Sequence, residues 1–375
     1  MKNIYAYIHI PFCRSRCIYC DFATFPFKEE WVTRYRLLLK REIELKEEML
    51  KNKVIKTIYF GGGTPSLFPP SDISWIPEKL KSSTGVESKE ITIEANPSSL
   101  DEEKIAGYAN MGINRLSIGL QSIDDTLLEF LGRNHDYTTF LKVYKIARRY
   151  FKNINIDLLF GIPGQTLDIW KQTLNEVISL GPQHLSLYSL TVENDTILKR
   201  MVDQKKVDLL SEDIVAEMYE YALDYLETKG YVHYEISNWA LPGYQCVHNI
   251  AYWKNLDYMG FGISASSHID GKRFTNTSNL KLYSDAILAG KLPIVDERPY
   301  SWKEEITDTV FMGMRMMEGI SLTEIKKKFG VDPYSYYSNQ IKKVVDEGLV
   351  EIGLDRVRLT KKGMLLGNVV FREFL

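Results

Sequence analysis

The residue pattern of the chain repeats a short run rich in β-branched and aromatic residues, followed by a longer amphipathic segment. The short runs predict strands at residues 4–10, 56–60, 90–94, 115–119, 155–160, 184–190 and 232–236. The amphipathic segments predict helices at residues 29–51, 70–82, 101–111, 124–149, 168–180 and 211–229. Strands that alternate with helices pair in parallel through right-handed crossovers, so the pattern indicates an α/β fold with a closed or partly closed barrel over residues 1–240.

Three loops rich in glycine, asparagine and proline directly follow predicted strands. They are Gly61-Gly62-Gly63-Thr64-Pro65, Asn96-Pro97 and Gly161-Ile162-Pro163-Gly164. In a barrel of parallel strands, the loops after the strands gather at the end that carries the active site. We therefore expect the functional residues to lie at strand ends.

The character of the sequence changes after about residue 300. Residues 302–317, 321–329 and 333–348 predict three helices, and residues 349–352 and 356–360 predict two strands around a Gly-Leu-Asp turn. This order is typical of a winged-helix-like α+β module over residues 301–375, with residues 241–300 as a connecting segment. From Trp302 onward there are 12 Lys and Arg residues and 11 Asp and Glu residues, so this part of the sequence lacks the excess of basic residues that is typical of a nucleic-acid binder. We expect no nucleic-acid partner and favour a lid or docking module.

The whole chain of 375 residues has a formal net charge of -2, so its composition gives no general attraction to nucleic acid or anionic membranes. No stretch reaches the roughly 20 apolar residues that span a bilayer, and the N-terminus lacks the apolar core of a secretory signal. We therefore expect a cytoplasmic protein. In that reducing compartment, four cysteines with three inside eight residues favour metal binding or catalysis over disulfides.

Cys13, Cys17 and Cys20 lie on a short segment directly after the first predicted strand. Three thiolates this close can hold an iron–sulfur cubane, and the fourth iron then has no cysteine ligand and stays open to another molecule. A structural zinc site is an alternative, but it normally needs four ligands, and no second cysteine pair follows. Three unrelated buried thiols are the other alternative.

The spacing C-x3-C-x2-C, with Tyr19 before the third cysteine, resembles the cluster loop of the radical S-adenosylmethionine superfamily. The resemblance implies a partial (β/α)6 barrel, a [4Fe–4S] cluster on these cysteines, and S-adenosylmethionine chelated to the open iron. Electron transfer from the cluster would cleave the bound cofactor to a 5′-deoxyadenosyl radical.

Further matches follow the order of the coproporphyrinogen-dehydrogenase-like branch of this superfamily and extend over most of residues 4–270. In that branch the matching residues bind S-adenosylmethionine. Besides Tyr19, the implied cofactor contacts are Tyr7, Gly62, Gly63, Thr64, Glu94, Gln121, Arg133 and Asp157. Taken singly, a Glu or Gln at a strand end is weak evidence, because such residues are often solvated.

Two kinds of protein in this branch remain as alternatives. One is the oxygen-independent coproporphyrinogen III dehydrogenase, a radical enzyme that oxidatively decarboxylates propionate side chains; the other is a heme chaperone. The dehydrogenase has a long N-terminal extension and a further Cys two positions after the third ligand. Here the first ligand is already Cys13, and Asp21-Phe22 follows Cys20. Both features favour the chaperone.

The segment His248-Asn249-Ile250-Ala251-Tyr252-Trp253 matches the H-N-x-x-Y-W motif of the chaperone. A neutral imidazole is a common axial ligand of heme iron, so His248 is the candidate heme ligand. A buried apolar thiol is the ordinary interpretation of Cys246. The implied cofactors are the cluster, S-adenosylmethionine and heme, and the implied partners are a heme-accepting protein and an electron donor. Transient contact with membrane heme proteins would be compatible with this role.

Overall fold

The computed structural model describes residues 1–84 and 88–374. The chain divides into two compact units. The first consists of Met1–Ala222 and Asp257–Arg298, and the second of Leu223–Leu256 and Pro299–Leu375. The sequence predicted a single connecting segment over residues 241–300, whereas these residues are shared between both units.

The chain forms strands from two to ten residues long. In chain order they are β1 (Lys2–Ile10), β2 (Phe12–Cys13), β3 (Phe25–Pro26), β4 (Lys53–Gly62), β5 (Glu90–Ala95), β6 (Arg115–Gln121), β7 (Ile154–Phe160), β8 (His184–Ser189), β9 (Val232–Glu235), β10 (Asn238–Ala240), β11 (Tyr258–Phe261), β12 (Ser266–Ile269), β13 (Lys272–Asn276), β14 (Ile294–Pro299), β15 (Ile320–Ser321), β16 (Val350–Ile352) and β17 (Arg356–Leu359).

The helices follow in the same way. They are α1 (Glu29–Leu45), α2 (Glu47–Leu50), α3 (Pro70–Ile73), α4 (Trp75–Thr84), α5 (Glu102–Asn110), α6 (Asp125–Phe130), α7 (Tyr137–Tyr150), α8 (Leu167–Ser179), α9 (Ile197–Asp203), α10 (Glu212–Thr228), α11 (Val247–Trp253), α12 (Leu280–Leu288), α13 (Trp302–Gly313), α14 (Leu322–Phe329), α15 (Pro333–Tyr336), α16 (Ser338–Asp346), α17 (Lys361–Leu365) and α18 (Gly367–Glu373).

Six parallel strands form the centre of the first unit, in the order β1-β4-β5-β6-β7-β8. Spatial order follows chain order, as expected for successive strand–helix–strand crossovers. The first six predicted strands and the α/β class are confirmed. The predicted strand at 232–236 forms as β9, but it pairs antiparallel with β10 in the second unit.

The sheet continues beyond β1 through a segment in which the sequence predicted no strands. β11 pairs in parallel with β1, with Tyr7 opposite Gly260, and β12 and β13 follow antiparallel. A buried network fastens this segment to α1. Glu42 accepts hydrogen bonds from Lys46 Nζ at 2.6 Å, Gly262 N at 2.7 Å, Asn276 Nδ2 at 2.7 Å and Tyr283 Oη at 2.6 Å.

The helix predicted over residues 124–149 is interrupted. Gly132 adopts a positive φ of 74° after α6, and the Asp136 side chain caps α7 by accepting from Thr139 N. A left-handed residue ends a helix readily when it is glycine, because there is no Cβ to clash. The interruption creates the loop that contains Arg133.

The C-terminal part of the second unit contains a three-stranded antiparallel sheet in the order β15-β17-β16. Ile306, Val310, Ile341 and Val357 are among the buried residues of its core. The predicted helices and the β16–β17 hairpin are present, which confirms the small α+β module, while β15, α17 and α18 were not predicted. In the described part of the chain, no helix combines the length and the apolar character needed to cross a membrane.

Candidate functional site

The central strands of the first unit are mostly buried but contain a few partly exposed polar residues. Tyr7, Tyr59, Glu94 and Asp157 are such residues on four of these strands. Tyr7 lies opposite Tyr59 in the β1–β4 register, and Asp157 lies opposite Gly119 in the β6–β7 register. Strands of a parallel sheet are usually apolar on both faces. Polar, accessible side chains on one face therefore indicate a lined binding site.

The three cysteines lie on the loop that leaves this sheet after β1. Phe25 N donates to Pro11 O at 2.7 Å and Phe27 N donates to Cys13 O at 2.8 Å, so the loop closes on itself. All three thiols are free and partly buried. Burial raises the pKa of Cys13; a hydrogen bond from Thr64 lowers it, and the nearby charges of Cys20 and Cys17 raise it further.

The donor set of this loop consists of three cysteine thiols. Among the described residues, no group of three or more His, Cys, Asp or Glu side chains converges on one ion-sized point. A cubane does not require such convergence, because each thiolate binds a different iron. Three thiols on one loop therefore fit a [4Fe–4S] cluster with one open corner.

The glycine-rich segment after β4 packs directly against this loop. Gly63 N donates to Ile10 O at 2.8 Å, and Thr64 N donates to Phe12 O at 2.9 Å. A Cβ on Gly63 would lie 2.8 Å from Phe12 O, too close for any other residue without backbone movement. Thr64 Oγ1 lies 3.5 Å from Cys13 Sγ. The glycines thus let two backbone segments meet beside the first cysteine.

Glu94 lies at the end of β5 among aromatic hydroxyls. Its carboxylate accepts from Tyr59 Oη at 2.8 Å and from Gly62 N at 3.2 Å. Burial raises the pKa of Glu94 to about 7; the bond from Tyr59 lowers it, and the charge of Asp157 raises it. A Cβ on Gly61 would lie 3.0 Å from the Tyr7 ring and 3.2 Å from Glu94 Oε2. This glycine lets the Tyr7 ring and the Glu94 carboxylate lie close to the backbone of β4.

Asp157 and Gln121 lie on the neighbouring strands. Asp157 accepts from Asn155 Nδ2 at 2.8 Å and from Ser117 Oγ at 3.2 Å, and burial raises the pKa of its carboxyl. Gln121 ends β6 with a positive φ of 74°, where the β6–β7 register shifts. A non-glycine residue in that region is uncommon and marks a constrained position.

Arg133 connects this group to the cysteine loop. Its Nη2 donates to Gly119 O at 2.7 Å, and its Nη1 points to Cys17 Sγ at 3.5 Å. The remaining Nε is buried and finds no hydrogen-bond partner among the described residues. Burial raises the pKa of Tyr19, which lies next to both Arg133 and Cys17. A buried cationic donor without an acceptor suits the carboxylate of S-adenosylmethionine.

Two further residues lie in this site and were not among the predicted site residues. Tyr59 holds the Glu94 carboxylate, and the His9 ring lies between Tyr7 Oη, 3.0 Å from Nδ1, and Ala23 O, 3.1 Å from Nε2. Polar residues at alternate positions of β1 and β4 were the available signal, because alternate residues of a strand face the same side.

His248 lies in the second unit, in the first turn of α11. Its side chain is 1% exposed, and its Nε2 lies 3.1 Å from Tyr252 Oη, with the two rings in an edge-to-face arrangement. The Arg315 guanidinium lies over the Trp253 ring, 4.4 Å from its centre. Cys246 is fully buried. The His248 imidazole is therefore buried and in contact with the Tyr252 hydroxyl within α11.

The parallel strands and the cysteine loop define a radical S-adenosylmethionine barrel, and the Radical SAM superfamily model matches residues 7–177. The HemN C-terminal domain model matches residues 300–366. Curated relatives named heme chaperone HemW match over almost the whole chain: the Bacillus subtilis protein is 36% identical over 99% of this chain and 98% of its own length. The Haemophilus influenzae protein is 31% identical over 98% of this chain and 97% of its own length. The chain therefore belongs to the heme chaperone HemW family.

The solved structure of coproporphyrinogen III oxidase (HemN) from Escherichia coli has a similar fold. It superposes with a TM-score of 0.86 over 100% of this chain and 90% of that chain, at 22% sequence identity. This similarity supports the assignment of the fold.

Proposed function

We propose that this protein binds heme and passes it to an acceptor protein, while it carries a [4Fe–4S] cluster and S-adenosylmethionine in its barrel. The observation that carries the proposal is the full-length similarity to HemW heme chaperones, at 36% identity with the Bacillus subtilis protein. The His248 motif supports the same function.

The residues proposed to bind both cofactors lie in the barrel. Cys13, Cys17 and Cys20 would hold the cluster, which when reduced supplies the electron for cleavage of S-adenosylmethionine. Arg133 Nε would donate to the cofactor carboxylate, and the Glu94 carboxylate would accept from its amino group or ribose. Tyr7, Tyr19, Gly62, Gly63, Thr64, Gln121 and Asp157 complete the proposed cofactor shell. An electron donor is the second partner that this arrangement requires, and a cluster built on thiolates favours the reducing cytoplasm.

Heme binding by His248 requires a local opening of α11. The imidazole nitrogen that would bind iron is engaged with the Tyr252 hydroxyl, and the ring is buried. Iron must replace that hydroxyl, so the Tyr252 hydrogen bond works against ligation. We infer that His248 is released when heme arrives and is covered again when heme leaves.

Heme titration of three variants, each compared with wild type, tests this model. His248→Ala should weaken heme binding, and added imidazole should restore the ligand spectrum. Tyr252→Phe keeps the ring but removes the competing hydroxyl, so it should bind heme more tightly by a few-fold, corresponding to about 1 kcal/mol for one hydrogen bond. Tyr150→Phe, an exposed tyrosine in the first unit, is the matched control and should behave as wild type. Unchanged affinity in His248→Ala would remove His248 from the model.

The radical enzyme is the second candidate function, since the barrel would hold the same two cofactors. Incubation of the reduced protein with coproporphyrinogen III and S-adenosylmethionine distinguishes the two. Conversion to protoporphyrinogen would favour the enzyme, and its absence together with heme binding would favour the chaperone. Cleavage of S-adenosylmethionine alone does not discriminate, because it can occur without substrate.

A further inference from the structure

The Arg133 guanidinium is placed by the backbone and directed at a cluster ligand. Gly119 O fixes Nη2 at 2.7 Å, and Nη1 then lies 3.5 Å from Cys17 Sγ. A Cβ on Gly119 would lie 3.1 Å from Nη2, so the bare backbone of β6 leaves space for the guanidinium. The loop that contains Arg133 is tied to the cysteine loop, because Ile18 N donates to Leu131 O at 3.2 Å.

A cation in this position acts on the charge of the cluster. Reduction adds one negative charge to the cluster and its thiolates, and a nearby positive charge stabilises the reduced form more than the oxidised form. Hydrogen bonds to the sulfurs and solvent exposure are among the factors that set cluster potentials. Arg133 Nε is shielded from solvent, so screening by water and salt is weaker than for a surface arginine.

We propose that Arg133 raises the reduction potential of the cluster through its hydrogen bond to the Cys17 sulfur, in addition to any contact with S-adenosylmethionine. The inference rests on the cluster of the proposed function. It assigns to Arg133 a tuning role that operates before the cofactor binds. The two roles use different donors, Nη1 for the sulfur and Nε for the carboxylate.

A redox titration of the anaerobically reconstituted full-length protein, followed by electron paramagnetic resonance, tests the proposal. It is run without S-adenosylmethionine, so cofactor binding does not enter. Arg133→Gln should lower the midpoint potential by an amount equal to a roughly tenfold change in the reduced-to-oxidised ratio, about 59 mV for one electron. Arg133→Lys keeps the positive charge, so its midpoint potential should lie between those of wild type and Arg133→Gln. Arg148→Gln, an exposed arginine that donates to Gly181 O, should match wild type.

The outcomes separate the two proposals. A wild-type protein that takes up no cluster contradicts the cluster of the proposed function. A wild-type cluster with an unchanged midpoint potential in Arg133→Gln overturns the tuning role alone. If both Arg133 variants fail to hold the cluster that wild type holds, Arg133 is a structural anchor of the loop, and the tuning role is again overturned.

Discussion

Replacement of Glu94 by glutamine should stabilise the protein without cofactors at alkaline pH. Burial raises the pKa of this carboxyl to about 7, from an ordinary value of 4.5. Glu94 is therefore harder to ionise in the folded protein than in the unfolded chain. Between these two pKa values, folding binds a proton, and stability falls as the pH rises.

The size of this penalty follows from the two pKa values. It is small at about pH 5, grows until the pH passes 7, and is constant above that. Linkage gives a difference of about 2 to 3 kcal/mol between pH 5 and pH 8. Glutamine carries no such charge, so Glu94→Gln should lack this part of the pH dependence. The loss of one acceptor for Tyr59 Oη or Gly62 N is the same at both pH values and cancels in the comparison.

Urea unfolding of the apoprotein at pH 5 and pH 8 measures this difference. The stability of Glu94→Gln relative to wild type should rise by about 2 to 3 kcal/mol between the two pH values. Glu129→Gln, an exposed glutamate on α6, should show no such change. The same Glu94 variant should bind S-adenosylmethionine more weakly, since the carboxylate is the proposed acceptor. An equal pH dependence in wild type and Glu94→Gln would refute the reasoning.

Three further tests use substitutions at the cluster ligands, the buried ion pair and the glycine-rich segment. Cys17→Ala should abolish the cluster absorption after anaerobic reconstitution, whereas Cys246→Ala should retain it; loss in both would contradict the assignment of the ligands. Glu42→Gln leaves the buried Lys46 without its carboxylate partner and should lower the free energy of unfolding by about 3 to 5 kcal/mol in chemical denaturation. Lys46→Met should lower it less, because the Glu42 carboxylate then still accepts from Gly262 N, Asn276 Nδ2 and Tyr283 Oη. Gly63→Ala should lower cluster occupancy, measured as iron per chain, because its Cβ displaces the backbone at the cysteine loop; full occupancy would show that the loop adapts.

The sequence predicted the central strands well because each is a short run rich in β-branched and aromatic residues. It failed where pairing is long-range. β11 is four residues long and joins β1 with Tyr7 opposite Gly260, a contact that no local pattern contains. The helix over residues 124–149 was predicted as continuous because its amphipathic period passes through the loop, although Gly132 breaks it.

The chemistry of the site was predictable in part, and its contacts were not. The cysteine spacing and the order of Glu94, Gln121 and Asp157 along successive strands are visible in the sequence. That Arg133 reaches Cys17 Sγ depends on a side-chain direction fixed by Gly119 O. The engagement of His248 with Tyr252 likewise depends on the orientation of two rings on α11.

The central claim is that one chain carries both a cluster and heme. The most direct test is the absorption spectrum of the anaerobically reconstituted protein, recorded before and after addition of heme. We expect the broad cluster absorption first, and then a shifted Soret band in the same sample. A cluster spectrum with a Soret band identical to that of free heme would contradict it.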